Sequence, residues 1–320
     1  MKDRPKNLSD YKKLKSKPAS KIKLVNILEK YDNVAILLGN GFNYAFYDRS
    51  TSWAKLVADI WNESHPNADI TEDLVKRTNL SLTETAEMSE KPFDNICESV
   101  AKFFSNEFIQ NSDAKKFLEY LEQRNIPIIT TNYDKNIAQE LNLTQHYTTR
   151  REDAEILPPR FQWGRYYAKE SFNKEDILNK FAIWNAHGTI DAPKSLCFTL
   201  SDYLECSKEA YAALEGIYSY FYIPSKDRTP HYVDTWLNIL FNKNICIIGL
   251  SLNENEIFLR LLLMWRMQYM KSHYGNPNKY KGWYLYVNDQ DMPFNKKFFL
   301  DSVNIKPIKC KNHDAIYKSF

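Results

Sequence analysis

The chain has 320 residues, 43% hydrophobic and 26% charged, with 43 Lys and Arg against 40 Asp and Glu and a formal net charge of +3. These proportions exclude a disordered or fibrous chain, and the length allows one large domain or two small ones around a sizeable core. No run approaches the roughly 18 apolar residues of a membrane span, and lysines and a proline stand where an export signal would be apolar, so a cytoplasmic chain is expected.

From the amino terminus, residues 1–25 read as a basic tail ahead of a folded unit over 26–320. Nine basic residues and two acidic ones fall within 1–23, so the remainder is mildly acidic. The tail reads either as a solvated terminus or as a contact for nucleic acid or an acidic partner. Beyond Tyr11 it interleaves no aromatic residue with its charges, so base stacking is not indicated.

Short apolar runs then predict buried strands at 34–38 (VAILL), 126–130 (IPIIT), 181–184 (FAIW), 245–248 (ICII) and 283–287 (WYLYV), with a weaker one at 303–308. Helical spacing lies between them. Trp53, Leu56, Val57, Ile60 and Trp61 mark one apolar face, with Ser52 placed to cap it. Strands alternating with helices predict a parallel sheet covered on both faces. Two stretches, near 62–120 and 201–242, do not fit simple alternation and are expected to be helical insertions forming a smaller subdomain.

Glycine is scarce: 8 residues, where average usage would give roughly 22. Four of them, Gly39, Gly41, Gly188 and Gly249, fall at the carboxyl ends of predicted strands, each beside Asn, His or Ser. Strand one runs into Gly39-Asn40-Gly41-Phe42-Asn43, which suits either a dinucleotide pyrophosphate or a plain tight turn. Strand two ends in Thr131-Asn132-Tyr133-Asp134, whose polar groups either face a ligand or cap the next helix. Strand three ends in His187-Gly188, read as a general base or as a structural imidazole. Strand four ends in Gly249-Leu250-Ser251-Leu252, read as a phosphate or ribose turn or as an ordinary helix cap. At the end of strand five, Asn288 suits a ribose hydroxyl or simple loop polarity.

In their order, GNGFN, TTNYD, NAHG, GLSL and Val287-Asn288 resemble the motifs of the sirtuin-like family. GNGFN followed by SW, HGTIDAP followed by FTLSDY, and IIGLSLNENE are similar to its bacterial anti-phage branch. The resemblance spans roughly residues 33–290. It implies a Rossmann-like α/β sheet flanked by helices, and NAD+ as substrate. By position it implies Asn132, His187 and Asp134 as catalytic residues. Asn132 positions the ribose or the attacking water, His187 accepts a proton and Asp134 orients the site. Gly39, Asn40, Gly41, Phe42, Asn43, Thr131, Gly249, Ser251, Leu252 and Asn288 would contact NAD+.

Two features separate this chain from the family's protein deacylases. None of the five cysteines (Cys97, Cys197, Cys206, Cys246, Cys310) forms a CxxC pair, so neither a zinc ribbon nor another metal site is expected. Their odd number and scattered spacing suit free thiols. Asn40 also stands where the deacylases carry alanine, and Asp48-Arg49 only partly matches their following run. The resemblance therefore implies an NAD+ hydrolase that depletes NAD+ on infection. The alternatives are a non-catalytic nucleotide-binding or scaffold module and an NAD-dependent deacylase. A toxic hydrolase needs an off state, so homo-oligomerisation is expected, together with a separate sensor or activator such as an ATPase, a helicase or a nucleic-acid-guided protein.

Overall fold

The protein is described by a computed structural model covering residues 23–47, 52–77, 82–89, 93–104, 108–148, 159–218, 231–254, 256–287, 292–318 and 320. The basic segment 1–22, Asp48-Arg49 and Asn288 lie outside the described residues.

Eight strands form one sheet in the order β3-β4-β5-β2-β1-β6-β7-β8. They are β1 (Val34–Leu38), β2 (Ile128–Thr130), β3 (Thr144–Tyr147), β4 (Arg165–Ala168), β5 (Ile183–Asn185), β6 (Asn244–Ile248), β7 (Gly282–Tyr286) and β8 (Ile305–Lys309). The six strands from β5 to β8 pair in parallel. This is the parallel sheet that the alternating sequence pattern predicts, in the Rossmann-like α/β form that the motif resemblance implies. β3 and β4 add an antiparallel edge. That edge escapes sequence reading because β3 is Thr-Gln-His-Tyr, polar and exposed to half-buried.

The central strand β1 is apolar at every position because helices cover both faces of the sheet. Along β1, Ala35 and Leu37 enter one apolar cluster with Ile129, Ile245, Ile247 and Tyr284. Val34, Ile36 and Leu38 enter the other with Ile128, Cys246 and Ile248. The helices are α1 (Leu24–Lys30), α2 (Gly41–Phe46), α3 (Trp53–Ser64), α4 (Glu72–Arg77), α5 (Leu82–Glu87), α6 (Phe93–Phe104) and α7 (Ser112–Gln123), then α8 (Asn136–Glu140), α9 (Leu200–Tyr218), α10 (Trp236–Asn242), α11 (Ile257–Tyr274), α12 (Phe294–Ser302) and α13 (Asp314–Tyr317). α9 to α12 cover the first face, and α1, α7, α8 and α13 the second.

α3 to α6 gather round a third apolar cluster built from Leu56, Val57, Ile60, Ile96 and Val100, closed by Tyr133, Leu196 and Phe198 from the sheet side. The helices flanking this module belong to the sheet instead. α7 packs Phe117, Leu118 and Leu121 onto the sheet as the link into β2, and α9 buries Cys206, Ala210 and Leu214 against it. Their charged outer faces make them read like insertions. Ser52 stands at the N-cap of α3, but its hydroxyl donates to Glu72 Oε1 at 2.6 Å instead of capping the helix.

The chain leaves β1 toward β2 and β5 on one side, then crosses to β6 on the other. β1 and β6 therefore flank the point where strand order reverses, the place where open α/β sheets hold ligands. Here the turns after β1 and β6 touch backbone to backbone. Gly41 N–H donates to Gly249 O at 2.7 Å and Gly39 N–H to Ile248 O at 3.0 Å. A Cβ on Gly41 would lie 2.5 Å from Gly249 Cα, and Gly249 itself has φ of 64°. Gly41→Ala should therefore cost about 3 kcal/mol through overpacking against fixed backbone. Gly275→Ala, also at positive φ but with nothing within 4 Å of the added carbon, should cost about 1 kcal/mol. Urea unfolding of the two variants checks the contrast.

Candidate functional site

The carboxyl ends of β1, β2, β5 and β6 open into a cleft of about 900 Å³, roofed by the α3–α6 module and by α9. Of the residues singled out in the sequence, Asn40, Gly41, Thr131, Asn132, Asp134, His187, Gly249 and Ser251 line it. Gly39 lies beneath, packed on Gly249 and Leu250. Phe42 and Leu252 do not reach the cleft. Phe42 is fully buried between α7 and α13, against Phe117 and Tyr317. Leu252 turns into the opposite core, with its backbone at φ 48°. Both are apolar, and burying them anchors the two turns.

The first turn is largely satisfied within itself. Its Gly39 and Gly41 N–H groups bond to the β6 turn, and the Phe42 N–H bonds to Gly39 O at 3.2 Å. These glycines serve to bring two backbones together and lower the cleft floor, more than to offer free donors. Asn43 is also committed. Its Nδ2 donates to Asp134 Oδ2 at 2.6 Å and to Asn40 Oδ1 at 2.8 Å. Asp134 Oδ1 accepts the Asn136 N–H at 3.0 Å. Asp134 thus caps α8 and ties the β1 turn to the β2 turn at once. Burial raises its pKa, opposed by the Asn43 and Asn136 hydrogen bonds.

Asn132 and His187 differ from these. Asn132 is 5% exposed, and neither Oδ1 nor Nδ2 has a hydrogen-bond partner among the described residues. Its backbone is held from both sides: its N–H donates to Thr130 Oγ1 at 3.1 Å, and its carbonyl accepts Asn185 Nδ2 at 2.9 Å. His187 is 2% exposed, and its Nε2 has no partner among the described residues. Its Nδ1 lies 3.5 Å from the Tyr203 hydroxyl, and its ring sits between Tyr203 and Phe258. Burial pushes the imidazole down to about 3, so it is neutral near pH 7. Buried polar groups are normally paired, and two unpaired ones on one cleft point to a ligand.

Several lining residues have no motif around them. Trp53 from α3 and Phe104 from α6 pack on Tyr133, whose hydroxyl donates to Cys197 O. Glu256, the residue before α11, lines the same cleft with a buried Oε2 that has no partner among the described residues, and burial pushes its carboxyl up to about 7. Its segment, Asn253 to Glu256, is polar throughout in sequence, so only packing shows that Glu256 carries a buried oxygen there. Among the described residues no group of three His, Cys, Asp or Glu side chains is placed to hold a metal, and the five cysteines are buried free thiols.

A profile of the SIR2-like domain family matches residues 127–308, more than half of the chain. The chain belongs to the SIR2-like domain family. No curated protein matches it. The match begins just before β2 and ends in β8, so it includes Asn132, Asp134, His187, Gly249 and Ser251 of the SIR2-like domain. The Gly39–Asn43 turn lies ahead of it and joins the site through contact with Gly249. Membership fits an NAD+-utilising enzyme. No described helix is long and apolar enough to cross a membrane.

Two stability measurements test this description. Replacing Asn43 by Leu leaves Asp134 Oδ2 buried without its donor, and should cost about 2 kcal/mol in urea unfolding. The His187 shift carries a defined sign. Its folded value is about 3 against 6.5 for the free group, so the unfolded chain takes up the proton first as pH falls. Wild-type stability is therefore lost between pH 6.5 and about 3, relative to His187→Asn, by at most about 1.4 kcal/mol per pH unit. Unfolding curves of both proteins at several pH values check the slope.

Proposed function

We propose that this SIR2-like protein hydrolyses NAD+ at the nicotinamide–ribose bond, giving nicotinamide and ADP-ribose. The observation carrying this reading is the pair of buried, unpartnered groups, Asn132 and His187, on one cleft with the Gly41–Gly249 floor. The close glycine packing leaves room for a flat, extended dinucleotide at the switch point. Asn40 and Ser251 offer polar groups beside that floor, suited to the diphosphate and the adenosine ribose. The cleft is large enough for a ligand of that size.

Nicotinamide is cationic within NAD+, so it leaves as a neutral base and needs no acid. What the reaction asks of the protein is orientation, exclusion of bulk water, and groups that tolerate positive charge growing on the ribose. Asn132 meets the first demand. Its side-chain amide can both donate and accept and carries no charge, and its backbone is held by Thr130 and Asn185. His187, neutral with Nε2 free, accepts a hydrogen bond from a ribose hydroxyl or from the attacking water. Asp134, buried and hydrogen-bonded to Asn43 and to the Asn136 N–H, orients the site by holding the two turns together. Trp53, Phe104 and Tyr133 wall the cleft with aromatic surface.

The motif resemblance extends the reading to NAD+ depletion in phage-infected bacteria, under control of self-assembly or a separate activator. The test is incubation of the chain with NAD+, with and without extract of infected cells, followed by chromatography for nicotinamide and ADP-ribose. Asn132→Ala and His187→Ala should each retain NAD+ binding by calorimetry and lose about 100-fold or more in turnover. Release of nicotinamide only when an acylated peptide is present would overturn hydrolysis in favour of deacylation.

A further inference from the structure

Three carboxylates line the cleft: Asp134, Glu254 and Glu256. Two are engaged elsewhere. Asp134 uses one oxygen on Asn43 and the other on the Asn136 N–H. Glu254 is exposed and bonds to Asn295 Nδ2. Glu256 differs, because its Oε2 is buried and without a partner among the described residues. Its backbone is fixed at both ends, with its N–H donating to Asn253 O at 3.0 Å and its carbonyl accepting the Arg260 N–H at 3.0 Å. The side chain is therefore presented to the cleft from the rigid start of an 18-residue helix.

We infer that Glu256 is a catalytic residue of this site, the group that takes the proton from the attacking water. The inference rests on the hydrolase reading above and adds a residue to it. In the step, the water oxygen bonds to the ribose carbon. The carbon–nitrogen bond breaks and its electron pair stays on the nicotinamide nitrogen. The water proton passes to Glu256 Oε2, and the resulting carboxylic acid returns it to solvent past exposed Ser251 and Asn253. His187 then orients the water as a neutral acceptor and does not store the proton.

The division of labour follows from the surroundings. A base works best with a pKa near the working pH. His187, held near 3, is a weak base, whereas Glu256 is held near 7 by burial. Tyr133 after β2 and Tyr203 from α9 are close enough to feel the Glu256 charge, Glu254 lies on its own segment and Arg260 one turn on, and His187 lines the same cleft. Both tyrosines are held far above their ordinary range by burial, with the Glu256 charge adding to the effect. They stay neutral while Glu256 changes charge.

The experiment uses the full chain with NAD+, in the conditions where wild type turns over, and compares wild type, Glu256→Gln and Glu256→Asp. Wild-type kcat should rise with pH to a plateau, with its midpoint near 7. Glu256→Gln should bind NAD+ within about threefold of wild type, lose about 100-fold or more in kcat, and show no rising limb. Azide is a nucleophile with no proton to give up, so it should restore NAD+ consumption by Glu256→Gln, with an azide adduct of ADP-ribose as product. Glu256→Asp, with a shorter reach, should give an intermediate kcat with the rising limb kept. A Glu256→Gln protein with wild-type kcat and pH profile overturns this proposal alone, as does a flat wild-type profile should that variant fail to fold. A wild-type chain that binds NAD+ and never releases nicotinamide overturns the hydrolase reading and this proposal with it.

Discussion

The site depends on one backbone contact, the approach of the Gly39–Gly41 turn to Gly249. Parallel strands bring their carboxyl ends to one edge of a sheet. That edge becomes a cleft only where strand order reverses and two turns meet face to face. At this meeting each turn supplies what the other lacks. Gly41 N–H finds Gly249 O, and a side chain on Gly39 or Gly41 would strike the opposing main chain. Phe42 and Leu252 extend the anchoring in opposite directions, one into each face of the core. A second tie, Asn43 to Asp134, fixes the β2 turn to the same assembly.

Once those turns are fixed, the unpaired groups gain their meaning. A buried amide or imidazole nitrogen without a partner costs roughly 1–3 kcal/mol. Among the described residues, Asn132, His187, Glu256 and Tyr317 carry such groups on this one cleft. Their neighbours Thr130, Asn185, Tyr203 and Asn253 hold backbone or ring while leaving the reactive atoms open. Burial also sorts the ionisable groups. It keeps His187 neutral and Glu256 near the point of titration, while Asp134 keeps hydrogen bonds that oppose its upward shift. Asp134, Glu256 and His187, all on one cleft, thus acquire three different characters.

The parts legible in the sequence are those whose signal is local. The strand β1 is apolar at five successive positions, and scarce glycines mark the ends of β1 and β6, so sheet and turns could both be read directly. Asn132 and His187 were legible for the same reason, since each directly follows a strand that is easy to recognise. Other features were hidden because their signal is not local. The β3–β4 edge is too polar to read as strand. α7 and α9 read like insertions until their apolar faces are seen against the sheet. Glu256 sits in a polar stretch, Asn253 to Glu256, where nothing in the chain order marks it out.

Sequence by itself determined the α/β class, the sheet-forming runs and the rim on which polar chemistry gathers, because strand hydrophobicity and glycine placement are properties of short segments. Tertiary structure alone decided which polar atoms on that rim are free. Freedom depends on partners far away in the chain: Asn43 for Asp134, Tyr203 for His187, and, among the described residues, the lack of any such partner at Glu256 Oε2. Hydrogen bonding and desolvation act between segments, so their outcome exists only once the segments have met.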